Sequence, residues 1–148
     1  VGKSSPAWIP LREAVRLGAS TTSMGSATLE MEGDGVELFA DRMVEKVFHN
    51  LLDNSVRHGG ATAIRIEARE GPRELMIIYA DNGVGIPDHR KEEMFELTYN
   101  HHGLYLTREI LALTGIRIEE RGEEGRGARF EIVVPRGSYR RDGRAAQI

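Results

Sequence analysis

Cysteine is absent from the 148 residues of this chain. That excludes disulfides, thiol nucleophiles and cysteine-ligated zinc. Long apolar stretches are absent too: the longest run, residues 75–80, is far below the ~20 residues that a membrane-spanning helix needs. No stretch has the pattern of a secretory signal. The net charge is −3, so the basic footprint of a nucleic-acid-binding domain is missing. Neither an internal repeat nor a low-complexity tract occurs. What is present is a composition of 40% hydrophobic and 29% charged residues, which suits one soluble globular domain with a single core. The chain opens on Val1 rather than methionine, and the expectation is a piece of a longer protein that extends upstream.

Residues 1–10, with two prolines and two serines, read as a linker. A short helix is expected over 11–18, with Leu11 and Val15 inward. Two strands, 27–32 and 36–40, flank Gly33-Asp34-Gly35, which predicts a hairpin. Asp41 is a suitable N-cap for a helix that runs to about 58 and stops at Gly59-Gly60. Strand 63–69 alternates, with Ile64, Ile66 and Ala68 on one face. Strand 74–80 is nearly all apolar and is expected to be central and covered on both faces. A glycine-rich turn fills 81–87, and a buried helix 104–113 follows. Strands at 116–121 and 128–134 complete the set, and the basic tail from 136 is expected to fray. The sum is an α+β class protein, an α/β sandwich. It has one mixed, mostly antiparallel sheet with about three helices on one face.

Two segments carry chemistry. At about 100° per residue, Asn50, Asn54 and Arg57 fall on one stripe of the long helix. Val44, Val47, Phe48, Leu51 and Ser55 face the other way, toward the core. A carboxamide carbonyl is a hard oxygen suited to Mg²⁺, and a guanidinium one turn on can pair with phosphate. The plain alternative is an amphipathic helix with a solvated face. The second segment is Asp81-Asn82-Gly83-Val84-Gly85-Ile86, directly after the central strand. Asp81 can only accept hydrogen bonds, as an exocyclic amine of a purine requires. Gly83 and Gly85 permit close approach of backbone to a ligand. The plain alternative here is a turn joining strand to helix.

In this order the two segments resemble the GHKL superfamily of ATP-binding proteins, which share the Bergerat fold. Residues 50–58, with Asn50, Asn54, Arg57 and His58, look like the N box of sensor histidine kinases. Residues 81–86 look like the G1 box, and Met94-Phe95-Glu96 is similar to the F box. Gly103-Leu104 resembles the end of the G2 box, and residues 125–135 look like the last strand of the kinase domain. The details come closest to kinases of archaeal type. The resemblance covers about residues 8–135 and implies a histidine kinase catalytic domain over 11–135, with ATP and Mg²⁺ as its cofactors. It implies that Asn54 ligates the metal, that Asp81 binds the adenine amine, and that Gly83, Gly85 and Ile86 shape the pocket. Arg57 stands where many members carry a phosphate-binding lysine, His58 lies near the pocket edge, and Gly103 and Leu104 border the phosphates. The hydrolysing branches place a glutamate at the position of Asn50, and asparagine cannot act as that base. The implied reaction is transfer of the γ-phosphoryl group to an imidazole on a separate dimerisation domain, and thence to a response regulator. A cytoplasmic, monomeric fragment without nucleic-acid or direct membrane contact is expected.

The pattern departs from the family in places. Only one glycine of the usual three remains in His101-His102-Gly103-Leu104-Tyr105, and the lid segment before it is short. Ala128 stands where many members have a hydroxyl near adenine. Adjacent histidines on a helix point about 100° apart, so His101 and His102 read as loop residues rather than a metal site. No histidine sits in the family's H box, so the phosphoacceptor is expected elsewhere. Two other readings stay open. One is a pseudo-kinase that binds nucleotide without transferring phosphate. The other is an anti-sigma-type serine kinase, a group that generally keeps a glutamate at position 50.

Overall fold

A computed structural model describes residues 5–96 and 103–145 of the chain. Its elements run β1 (Ala7–Pro10), α1 (Leu11–Ser20), β2 (Thr28–Glu32), β3 (Val36–Ala40) and α2 (Val44–Asp53). Next come β4 (Ala63–Glu70), β5 (Glu74–Asp81), α3 (Leu104–Ala112), β6 (Arg117–Glu120), β7 (Arg129–Pro135), β8 (Tyr139–Arg141) and β9 (Arg144–Ala145). The main sheet has the order β2-β4-β5-β7-β6, with β2 parallel to β4 and the remaining pairs antiparallel. A smaller antiparallel sheet has the order β1-β3-β8-β9. The α+β sandwich is as expected.

The period-2 pattern explains which face packs. Leu75, Ile77 and Tyr79 of β5 join Ile64, Ile66, Phe130, Ile132 and Val134 in one core cluster with the inward residues of the three helices. Helices cover one face of β5. Ile78 and Val133, which point the other way, are also buried but lie outside that cluster. Their face is held by ion pairs, Arg65 with Glu30 and Glu32, and Arg129 with Glu131. A long apolar run does not reveal how its outward half is shielded.

The expected hairpin between β2 and β3 does not form. β2 pairs with β4, whereas β3 lies between β1 and β8. A tight hairpin of the Asp-Gly type needs positive φ at both central residues. Here Gly33 and Gly35 are positive, at 142° and 80°, and Asp34 is not. The loop carries the chain from one sheet into the other.

The stretches expected as linker and as frayed tail both supply strands. Trp8 of β1 packs on Phe39 with ring centroids 5.2 Å apart, and the Arg140 guanidinium lies 4.4 Å from the Trp8 ring. Tyr139 of β8 is buried in the core. A single large apolar residue within a basic stretch is enough to anchor it. Asp41 also acts one turn earlier than expected. Its Oδ1 accepts from the Met43 N–H at 2.8 Å and its carbonyl accepts from Val44 N–H at 2.9 Å, so α2 begins at Val44.

Helices α1 and α2 touch at Gly18. A Cβ there would sit 2.7 Å from the His49 nitrogen and 2.9 Å from both Glu45 O and Phe48 Cβ. Gly18→Ala is therefore expected to destabilise the fold by about 1–3 kcal/mol through overpacking. Urea unfolding checks this as a lower midpoint at unchanged slope.

Candidate functional site

Helix α2 does not stop at Asp53 but widens into a π-helical turn over Asn54–His58. The Gly59 N–H bonds to Asn54 O at 2.9 Å, one residue further than in an α-helix. The extra residue breaks the stripe that regular periodicity predicts for Asn50, Asn54 and Arg57. Arg57 turns outward, is 71% exposed and pairs with Asp53 at 3.5 Å. Asn54 instead faces a cavity, and its Oδ1 is buried with no hydrogen-bond partner.

Asp81, at the end of β5, borders the same cavity. Its Oδ1 accepts from the Gly83 and Ala128 N–H groups, both at 2.9 Å. Its Oδ2 accepts from the Ser55 hydroxyl at 2.6 Å. Ser55 is buried, and its Oγ lies 2.6 Å from the Tyr79 hydroxyl, which donates to Leu51 O at 2.9 Å. Burial pushes the Tyr79 phenol well up from its ordinary value, so it stays protonated. The carboxylate is thus fixed from three sides, with part of Oδ2 left for a ligand.

The cavity measures about 270 Å³. Asn54, Ser55 and His58 line it from the helix, Asp81, Gly85 and Ile86 from the glycine turn, and Met94, Glu124, Ala128 and Phe130 from the far side. Apolar walls with a few convergent polar groups are what a planar heterocycle with a polar edge needs. Two glycines let the walls meet. Gly85 has φ +76°, and a Cβ there would lie 2.6 Å from Glu123 O. Gly127 has φ +123°, and its Cβ would fall 1.9 Å from the carbonyl oxygen of Asp81. Gly83 approaches Gly59 in the same manner.

The structure brings Asn54, Asp81, Gly85, Ile86 and His58 together as expected. It does not bring Arg57, Asn50, Gly83, Gly103 or Leu104 to the cavity lining; Gly83 instead packs its backbone against Gly59. The Asn50 amide donates to Gly103 O at 3.2 Å and to Thr107 Oγ1 at 3.3 Å, so it ties the start of α3 to α2. Leu104 is fully buried in the core. His101 and His102 lie outside the described residues. His49, expected at the surface, is half-buried with Nδ1 2.9 Å from Thr22 Oγ1. Sequence reasoning missed Ser55 as a site residue. Its core-facing position was legible, but its contact with Asp81 joins two elements far apart in the chain. Gly127 could have been found, since it sits among glycines just before a strand. Among the described residues no group of three or more His, Asp or Glu side chains could hold a metal by itself.

Comparisons with known proteins identify the family and the fold. The family of histidine kinase-, DNA gyrase B- and HSP90-like ATPases matches residues 40–138. The alginate biosynthesis sensor protein KinB of Pseudomonas aeruginosa is 34% identical over 138 residues, covering 86% of this chain and 22% of that protein. The methanogenesis regulatory histidine kinase FilI of Methanothrix harundinacea is 32% identical over 107 residues, covering 64% of this chain and 12% of that protein. The chain therefore spans under a quarter of the length of either relative. The ATP-binding domain of PrrB from Mycobacterium tuberculosis shares the fold, with TM-score 0.75 at 20% identity over 88% of this chain and 97% of that one. This chain belongs to the family of histidine kinase-, DNA gyrase B- and HSP90-like ATPases.

Proposed function

We propose that this domain binds ATP together with Mg²⁺ and passes the γ-phosphoryl group to an imidazole nitrogen on a separate dimerisation domain. The observation that carries this reading is the shared cavity. One wall holds the Asp81 carboxylate, which this reading assigns to a purine amine, and the other holds Asn54, whose buried side-chain oxygen has no partner in the protein. A buried acceptor left empty costs about 1–3 kcal/mol and calls for an explanation. A hard cation supplies one, because Mg²⁺ takes few protein oxygens and completes its shell with phosphate and water. Asn54 would hold the ion, which when bound neutralises charge on the phosphates. The residues present fit that role.

The protein's own part in the chemistry is positioning. Asp81 and the walls around Ile86 and Ala128 hold the base, and Asn50, committed to Gly103 and Thr107, offers no group that could activate water. A phosphorus–nitrogen bond forms on the incoming imidazole as the bridging P–O bond to ADP breaks. The phosphoacceptor domain and a downstream response regulator are the partners this reading requires. A cytoplasmic location goes with it, and among the described residues no helix is long and apolar enough to cross a membrane.

A second reading, nucleotide binding without transfer, is favoured by Arg57, which pairs with Asp53 instead of lining the cavity. An anti-sigma-type serine kinase fits less well, since Asn50 holds the place of its glutamate. Calorimetric titration separates the first two. ATP is expected to bind in the micromolar to millimolar range and to gain about tenfold or more from Mg²⁺. ADP binding that neither a γ-phosphate nor Mg²⁺ strengthens would favour the binding module.

A further inference from the structure

Behind the cavity lies a charge pair that the chemistry above does not use. The Lys91 ammonium meets the Glu120 carboxylate, whose side chain is fully buried, while that of Lys91 is 18% exposed. The ammonium also donates to Ile86 O at 3.0 Å and to Gly122 O at 2.9 Å. Its three donors thus have three acceptors. Glu120 Oε2 accepts from the Gly122 N–H at 3.1 Å and from the Arg129 N–H at 2.9 Å. Two chain segments far apart in sequence are locked to one another by these bonds.

The location gives the pair its meaning. Ile86, held through its carbonyl, places its side chain in the cavity wall. Arg129, held through its N–H, is next to Ala128, which lines the opposite wall and donates to Asp81. A buried ion pair adds little stability over apolar residues of the same volume. Directional bonds, unlike apolar contacts, fix the distance between the groups they join. We infer that Lys91 and Glu120 are positioning residues that set the spacing of the two cavity walls, and so the affinity for the purine. This rests on the nucleotide reading above.

The test uses ADP titration and thermal melting of the whole chain. Lys91→Met alone is expected to melt well below the unmodified protein, because it strands a buried carboxylate. Adding Glu120→Leu is expected to recover part of that loss, since it removes the stranded charge but leaves the Gly122 and Arg129 N–H groups without their acceptor, and to leave ADP binding about tenfold weaker. A merely structural pair would leave affinity at the unmodified level, so unchanged ADP affinity in the double variant overturns the inference. A measurement without substitution guards against misfolding. In the unmodified chain the ¹⁵Nζ signal of Lys91 should shift on ADP addition, and a signal that saturating ADP leaves unmoved also overturns it. If the unmodified chain binds no adenine nucleotide at millimolar concentration, the nucleotide reading fails and takes this inference with it. Failure of the double-variant or NMR arm alone leaves that reading standing.

Discussion

Asn54→Ala is expected to erase the metal-dependent part of ATP binding without unfolding the protein. In the unmodified chain Mg²⁺ should strengthen ATP binding by about tenfold or more, or roughly 1.4 kcal/mol. In the variant the gain should fall below about twofold. The reason is the side-chain carbonyl oxygen of Asn54, a buried acceptor of a cavity-lining residue that nothing in the protein satisfies. Stability should move the opposite way from function. Deleting an acceptor that has no partner removes a desolvation cost rather than a bond, so melting should stay level or rise. Titration with and without Mg²⁺, beside a melting curve, checks both halves. An Mg²⁺ gain that survives would remove Asn54 from the metal site. A fall in melting temperature would mean that its carboxamide holds the fold instead.

The second large effect is on the purine side. Asp81→Asn should weaken ATP binding about 100-fold, near 2.8 kcal/mol, with the fold retained. Its Oδ1 can still accept from Gly83 and Ala128, and the Ser55 hydroxyl can rotate to accept from the new amide. What changes is the group offered to the base, an N–H₂ facing the adenine amine, donor against donor. Sites built on a hydrogen bond reject the mismatched partner strongly. The same amide suits the O6 acceptor of guanine, so discrimination against GTP should shrink. Titration of both nucleotides reads this directly. Equal loss of ATP and GTP would mean that Asp81 serves the fold rather than recognition.

Both residues were legible before any coordinates. Asp81 follows an apolar strand and precedes two glycines, and that combination places a carboxylate rigidly beside a flexible turn. Asn54 was legible from helical spacing, yet the same spacing misplaced Arg57. Periodicity assumes a uniform turn, and the widened turn after Asp53 is set by packing that residue types do not announce. Strand pairing failed for a related reason. Gly33-Asp34-Gly35 has the composition of a hairpin, but which sheet receives β3 depends on β1 and β8, from opposite ends of the chain. The Lys91–Glu120 pair was invisible because each residue alone looks like ordinary surface charge. Only the fold shows that one of them has no water around it.

The π-helical turn over Asn54–His58 also makes the cavity sensitive to chain length. An α-helix advances about 100° per residue, so removing one residue here would tighten the turn and rotate the downstream chain by that amount. Ser55 could keep its hold on Asp81 only if the loop through Gly59 and Gly60 absorbed the whole rotation, yet Gly59 is already pressed against Gly83. Substitutions in this segment alter which groups the nucleotide meets, whereas a deletion would alter where every later group points. Homologous chains that share these side chains but count one residue fewer would need a different floor.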